Sequence, residues 1–144
     1  MLARFWGKVS SDDDYNRVRQ RYGDTTSADA QLQALRSLGL RSHFWTNGRR
    51  EDIERELRAG RPVAVGWLHH GPVAKPAGGG HWSVAVGLWP QGVVMHDPFG
   101  EALLVSGGYS RNTSGAFLQY SWRNWIPRWE ADGARTGWYV TCSR

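Results

Sequence analysis

The chain has 144 residues, 40% of them apolar and 22% charged, with a mean hydropathy of −0.55. That is the balance of one water-soluble globular domain. It excludes a collagen-like chain, wholesale disorder and a membrane-spanning protein. The longest uncharged stretch rich in apolar residues, Trp82 to Met95, is broken by Gly87, Pro90 and Gly92, whereas a spanning helix needs ~20 apolar residues.

Eighteen basic residues against 13 acidic ones give a net charge of +5, and 16 of the basic residues are Arg. An Arg excess suits anionic partners, but these arginines are scattered without a block of five like charges, the pattern of a basic solvated surface. No nucleic-acid partner is expected; such binding would have to weaken steeply with salt. The one cysteine, Cys142, excludes an intramolecular disulfide. The start, Met-Leu-Ala-Arg-Phe-Trp-Gly, has neither the apolar run nor the cleavage site of a signal peptide.

In chain order, Met1 to Trp6, closed by Gly7, has the form of the last turn and C-cap of a helix. Ser11 with Asp12, Asp13 and Asp14 places a cap and three acids at a helix start, where the macrodipole favours them. Tyr15, Val18 and Tyr22 form its apolar stripe, and Gly23 ends it. Ser27 caps the next helix, Leu32, Leu35 and Leu38 line one face, and Gly39 stops it. Leu40 to Trp45 is a short strand, and Arg50 to Ala59 a helix with Gly60 as its cap.

The second half alternates as strands do: Pro62 to Leu68, His81 to Trp89, Val93 to His96, Leu103 to Val105, and Gly137 to Cys142. Pro90-Gln91-Gly92 is hairpin chemistry. Helices first and an antiparallel sheet second is an α+β layout.

The chemistry sits in Gly78 to Gly100. A histidine, His81, opens one strand, and a carboxylate, Asp97, ends its hairpin partner. Simple pairing about Gln91 sets Asp97 opposite Ala85; residues 81, 83 and 85 share one face, so His81 and Asp97 point the same way. That register leaves them about four residues apart, ~13 Å at ~3.3 Å per residue, and a bulge at Gly87 or strong twist is needed to join them. In contact, Asp97 would accept from one imidazole nitrogen and fix the tautomer, leaving the other nitrogen to take a proton from a nucleophile. Asp97-Pro98-Phe99-Gly100 is equally good turn chemistry, and spacing alone leaves both readings open.

Those residues also carry a resemblance. With the Leu2-Ala3-Arg4-Phe5-Trp6-Gly7 helix end, the Leu35-Arg36-Ser37-Leu38-Gly39-Leu40 helix end, the Ile53 to Leu57 helix leading into Gly60-Arg61-Pro62-Val63-Ala64-Val65, the Gly80-His81-Trp82 strand and the Asp97-Pro98-Phe99-Gly100 turn, the chain resembles a papain-like cysteine peptidase family. It is the family named for the leader peptidases of bacteriocin exporters, with their free-standing relatives. The resemblance spans residues 1 to about 105, and the His-Trp strand followed by Asp-Pro-x-Gly is its most specific part.

The resemblance implies an α+β papain-like fold: N-terminal helices packed on a C-terminal antiparallel β-sheet, with a cleft between them. Residues 1–144 would form one domain, 106–144 being a C-terminal extension that completes the sheet. It implies His81 as general base and Asp97 as its orienting acid. It also implies a cysteine nucleophile at the N-terminus of the first core helix, where the dipole lowers a thiol pKa, preceded by an oxyanion-donating Gln. That position falls before the Leu2–Trp6 segment, so the nucleophilic cysteine is absent between Met1 and Arg144. Either the natural start lies upstream of Met1, or the chain is a non-catalytic descendant.

Other constellations carry less. Cys142, on a C-terminal strand with no helix N-terminus to activate it, is expected as a small buried hydrophobe, and Ser10 and Ser11 as caps. His69, His70, His81 and His96 do not make a zinc site, because adjacent histidines on an extended segment point to opposite faces and no Cys or acidic ligand has metal spacing. No metal or cofactor is expected. Gly78, Gly79 and Gly80 are not a phosphate loop; with Trp82 they form the cleft or a mobile lid beside it. Trp122, Arg123, Trp125, Arg128 and Trp129 make an aromatic-basic patch suited to stacking on sugars or bases. Their helical spacing equally describes an amphipathic element packing its tryptophans on the sheet.

The expected function is therefore a papain-like peptidase or amidase domain acting on, or binding, a peptide or a peptidoglycan cross-link. The alternative is a non-catalytic interaction module whose partners are other proteins of a larger assembly, such as a phage particle. Without a signal or spanning segment, a cytoplasmic or virion-associated location is expected, with no membrane partner.

Overall fold

A computed structural model describes residues 1–111 and 114–144. The caps act where the sequence places them. After α1 (Leu2–Phe5), Ser11 accepts from the Asp14 backbone N–H to open α2 (Asp12–Arg19), and Ser27 accepts from Ala30 to open α3 (Ala28–Ser37). Helix α2 ends at Arg19, a turn short of Tyr22, whose ring is exposed. Strand β1 (Arg41–Gly48) and helix α4 (Arg50–Arg58) follow, then β2 (Val63–Trp67), β3 (His81–Trp89) and β4 (Gly92–His96). The chain closes through β5 (Leu118–Ser121), α5 (Trp122–Trp129) and β6 (Gly137–Ser143).

The six strands form one antiparallel sheet in the order β1-β6-β2-β3-β4-β5. The last strand is thus inserted between β1 and β2, and β5 forms the edge opposite β1. Two expectations change here. Leu103 to Val105 is a turn, tied by an Ala102–Tyr109 bridge; Leu103 and Val105 are exposed, because no strand lies beside them to cover an apolar face. Strand β5 was not foreseen, since Leu-Gln-Tyr-Ser offers too short an alternation to be read.

Helices cover both faces of the sheet, so the molecule is layered helix–sheet–helix. Alternation sorts the side chains. On one face Ala64, Trp82, Val84, Val140 and Cys142 pack under α1 to α3 with Leu2, Ala3 and Leu35. On the other, Val63, Val65, Trp67, Ala85, Val93, Met95, Tyr120 and Tyr139 pack under α4 and α5 with Ile53, Trp122, Trp125 and Trp129. The second face is the one that carries the site.

Candidate active site

The hairpin brings His81 and Asp97 together. Ala85 pairs with Met95 but Gly87 with Val94, so Val86 is the extra residue of a bulge. The bulge shifts the register: Val84 faces His96, and continuing that ladder sets Asp97 opposite Ser83 instead of Ala85. The gap to His81 falls to about two residues, ~7 Å along the strand, which the imidazole spans. His81 Nε2–H donates to Asp97 Oδ1 at 2.7 Å, with both side chains buried.

Asp97 serves the turn and the histidine at once. The same Oδ1 accepts from the Phe99 backbone N–H at 3.0 Å, an Asx-turn bond. Oδ2 accepts from Tyr120 Oη–H at 3.3 Å, and the Tyr120 hydroxyl itself accepts from Ala102 N–H at 2.9 Å. The two sequence readings of Asp97 therefore coexist. Gly115 fixes the strand end: Asp97 N–H donates to Gly115 O at 2.8 Å, and a Cβ on Gly115 would fall 1.8 Å from the Asp97 carbonyl oxygen. Only glycine fits there.

His81 lies in a cage of rings. Trp67 and Tyr109 meet it edge-on at 5.4 and 5.8 Å, and Phe99, largely exposed, tilts over it at 4.8 Å. His69 stacks on it nearly parallel, 3° between planes and 4.6 Å between centroids. With Nε2 on Asp97, Nδ1 makes no hydrogen bond to the described residues. One nitrogen is oriented and the other is open, the arrangement a general base requires.

Sequence reasoning missed His69, because alternation sends neighbouring histidines to opposite faces. The His69 and His70 rings instead lie 4.0 Å apart, since the loop after β2 is not extended as a strand is. Even so, no group of three His, Cys, Asp or Glu side chains among the described residues is placed to share a metal ion. Burial, then the neighbouring His81, His70 and Arg128, push the His69 pKa down to about 4, against a partial pull upward from Asp97. The folded state thus binds His69 protons less readily than the unfolded chain. Between pH ~6.5 and ~4 the unfolded state binds more protons, so stability falls on acidification through that window, by up to about 3 kcal/mol from this residue. Urea titrations from pH 7 to 4 should show the decline, and His69→Phe should flatten it, leaving the smaller part that His96, also lowered by burial, contributes.

The Trp–Arg segment is a brace, not a surface patch. Trp122, Trp125, Arg128 and Trp129 are buried and only Arg123 is exposed. Helical spacing put the rings in the core, where Trp125 stacks on Trp129 at 5.0 Å. Arg128, 1% exposed, donates through Nε to Leu104 O and through its terminal nitrogens to the carbonyls of Leu68, His70 and Gly71. It holds the chain on both sides of His69.

Gly78, Gly79, Gly80 and Trp82 line a cleft of about 380 Å³ with Gly66, Trp67, Asp132 and Trp138. The segment leading to the glycines is tethered: His70 and Ala77 exchange two backbone hydrogen bonds, and Val73 N–H donates to Val105 O. Cys142 lies far from this chemistry in kind. It is 2% exposed in the core under α1 to α3, on the face opposite His81, and burial pushes its thiol up to about 11.

No curated protein matches the sequence. The peptidase domain of Streptococcus ComA, a bi-functional ABC transporter involved in a quorum sensing pathway, matches in structure with a TM-score of 0.58 at 15% identity, over 99% of this chain and 84% of that one. At that identity the likeness establishes the fold, which is papain-like and α+β. The family model described as papain-like cysteine protease AvrRpt2 matches residues 1–104, a span that holds α1 to α4, β1 to β4 and both members of the His81–Asp97 pair. By that match the chain belongs to the AvrRpt2 family of papain-like cysteine proteases.

Proposed function

We propose that the chain carries the acid–base half of a thiol-dependent amide hydrolase acting on a peptide, in a protein or in a cell-wall cross-link. The observation behind this reading is the buried His81–Asp97 pair, joined at 2.7 Å and supported on both carboxylate oxygens. Nδ1 of His81 takes the thiol proton, and the thiolate attacks the amide carbonyl. The imidazolium then returns the proton to the leaving amine, and water, deprotonated by His81, releases the acyl group. The peptide lies along the cleft beside Gly78, Gly79, Gly80 and Trp82. The thiol is supplied by sequence outside the 144 residues and not by Cys142.

A second reading has its own observation. The one thiol in the 144 residues is sealed on the wrong face, and with no other thiol the cleft would bind a peptide or wall fragment without cutting it, as an interaction piece of a larger assembly.

Alkylation tests the exclusion of Cys142. With its pKa at about 11, roughly a thousandth of the thiol is ionised at pH 8, and burial slows attack further. Folded protein treated with iodoacetamide at pH 8 should stay unlabelled at Cys142 and label fully in guanidinium chloride. Cys142→Ser should leave hydrolysis of peptide amides unchanged; loss of hydrolysis in that variant would make Cys142 the nucleophile.

A further inference from the structure

His69 is held with more apparatus than a loop residue needs. Its Nδ1 is 2.8 Å from Tyr109 Oη. The Tyr109 hydroxyl, with its pKa raised by burial, stays protonated and shares this hydrogen bond, whose direction the His69 tautomer sets. The His69 carbonyl accepts from Gly108 N–H at 3.0 Å. Arg128 grips the carbonyls of the residue before it and of the two after it. Gly78 completes the seat, since a Cβ there would meet His69 Cδ2 at 3.2 Å and His70 Cδ2 at 3.3 Å.

Arg128 has no carboxylate partner among the described ion pairs. A cation buried on carbonyl dipoles alone carries a large desolvation penalty. What those contacts achieve in return is a fixed position for residues 68 to 71, and the ring so placed lies flat on His81. A parallel ring at stacking distance restricts rotation of the imidazole about its Cβ–Cγ bond. That rotation is the motion that would carry Nε2 off Asp97, setting Cε1 in its place and Cδ2 where Nδ1 faces the open side. It would so remove the hydrogen bond that holds the proton on Nε2.

We propose that His69 is a positioning residue: pinned by Tyr109 and the Arg128 brace, it holds the ring plane of His81 so that Nε2 stays on Asp97 and Nδ1 stays open. It does not touch a substrate and transfers no proton. Its partners in the cage, Trp67, Phe99 and Tyr109, approach His81 edge-on or tilted, so none of them can substitute for the parallel face. The proposal deepens the reading of His81 as a general base, but its test needs no thiol and no hydrolysis.

The test is the tautomer of His81, read by two-bond nitrogen–proton NMR spectra of the imidazoles in the 144-residue chain at pH 7.5. Wild-type protein should show His81 mostly as the Nε2–H form, with a Nδ1–H minority that sets the reference ratio. His69→Ala should lower the ratio of Nε2–H to Nδ1–H by about three- to tenfold, the range that ring–ring stacking supplies. His69→Phe, which keeps a flat face, should restore it. Tyr109→Phe, which frees the His69 ring while leaving the backbone brace intact, should fall between them and keeps the test decisive should His69→Ala fail to fold.

An unchanged His81 spectrum in folded His69→Ala or in Tyr109→Phe would overturn the proposal. So would failure of His69→Phe to restore the wild-type spectrum. A protein that shows these shifts but hydrolyses nothing would retain His69 as a positioning residue while the hydrolase reading fails.

Discussion

Arg128→Ala should lower folding stability by about 3–5 kcal/mol, the loss expected when several buried carbonyls lose hydrogen bonds to one charged donor. The substitution takes away four hydrogen bonds to the carbonyls of Leu68, His70, Gly71 and Leu104 and leaves those oxygens facing a cavity. Arg128→Lys should recover little of it. Those acceptors are spread around a planar fork, and a single ammonium cannot reach positions that three guanidinium nitrogens occupy. Guanidinium chloride denaturation gives the comparison directly. A loss under about 1 kcal/mol in Arg128→Ala would mean that the loop bearing His69 is held by something else.

Asp97 should separate two roles that a single alanine variant would merge. In any form of the protein that hydrolyses peptide amides, His81→Ala removes the proposed general base and should reduce that hydrolysis by about 100- to 10,000-fold. Asp97→Ala should come close to that, since it frees the imidazole and also deletes the acceptor of Phe99 N–H and Tyr120 Oη–H. Asp97→Asn should cost far less, about tenfold. An amide oxygen at the Oδ1 position still accepts from His81 Nε2–H and from Phe99 N–H, and Cys-His-Asn triads work in papain-like proteases. An Asp97→Asn loss as large as that of Asp97→Ala would show that the negative charge matters more than the orientation.

Much of the fold was legible because capping and alternation are local. Ser11 and Ser27 open helices where their side chains can reach the N3 amide, and β3 runs from His81 to Trp89 as its alternation indicates. The His81–Asp97 contact was legible only in part. Shared strand face follows from parity, but the register depends on the Val86 bulge, and one inserted residue is invisible to a pattern of period two until the partner strand is known. The residues that support the pair were the least legible. Tyr120 comes from β5, an edge strand of four residues. His69 and Tyr109 stand 40 positions apart in sequence, and nothing local joins them. Arg128 looked like a surface cation beside tryptophans because its acceptors are backbone carbonyls, which no side-chain motif announces.

The layering has a consequence for the chemistry. His81 and Asp97 lie on the face under α4 and α5, whereas α1 to α3 and Cys142 lie on the other. A thiol that meets Nδ1 must therefore reach the end of β3 that bears His81, where Met1, at the head of α1, lines one pocket with Trp82 and Ser83.

The most direct test of the account is a map of alkylated cysteines in the natural protein treated briefly with iodoacetamide at pH 6, where only a thiol that shares its proton with a histidine is nucleophilic. The account predicts rapid labelling of a cysteine other than Cys142, slowed at least ~100-fold by His81→Ala. Labelling at Cys142, or no cysteine labelled ahead of it, would contradict the hydrolase reading and leave the His81–Asp97 frame as a binding site.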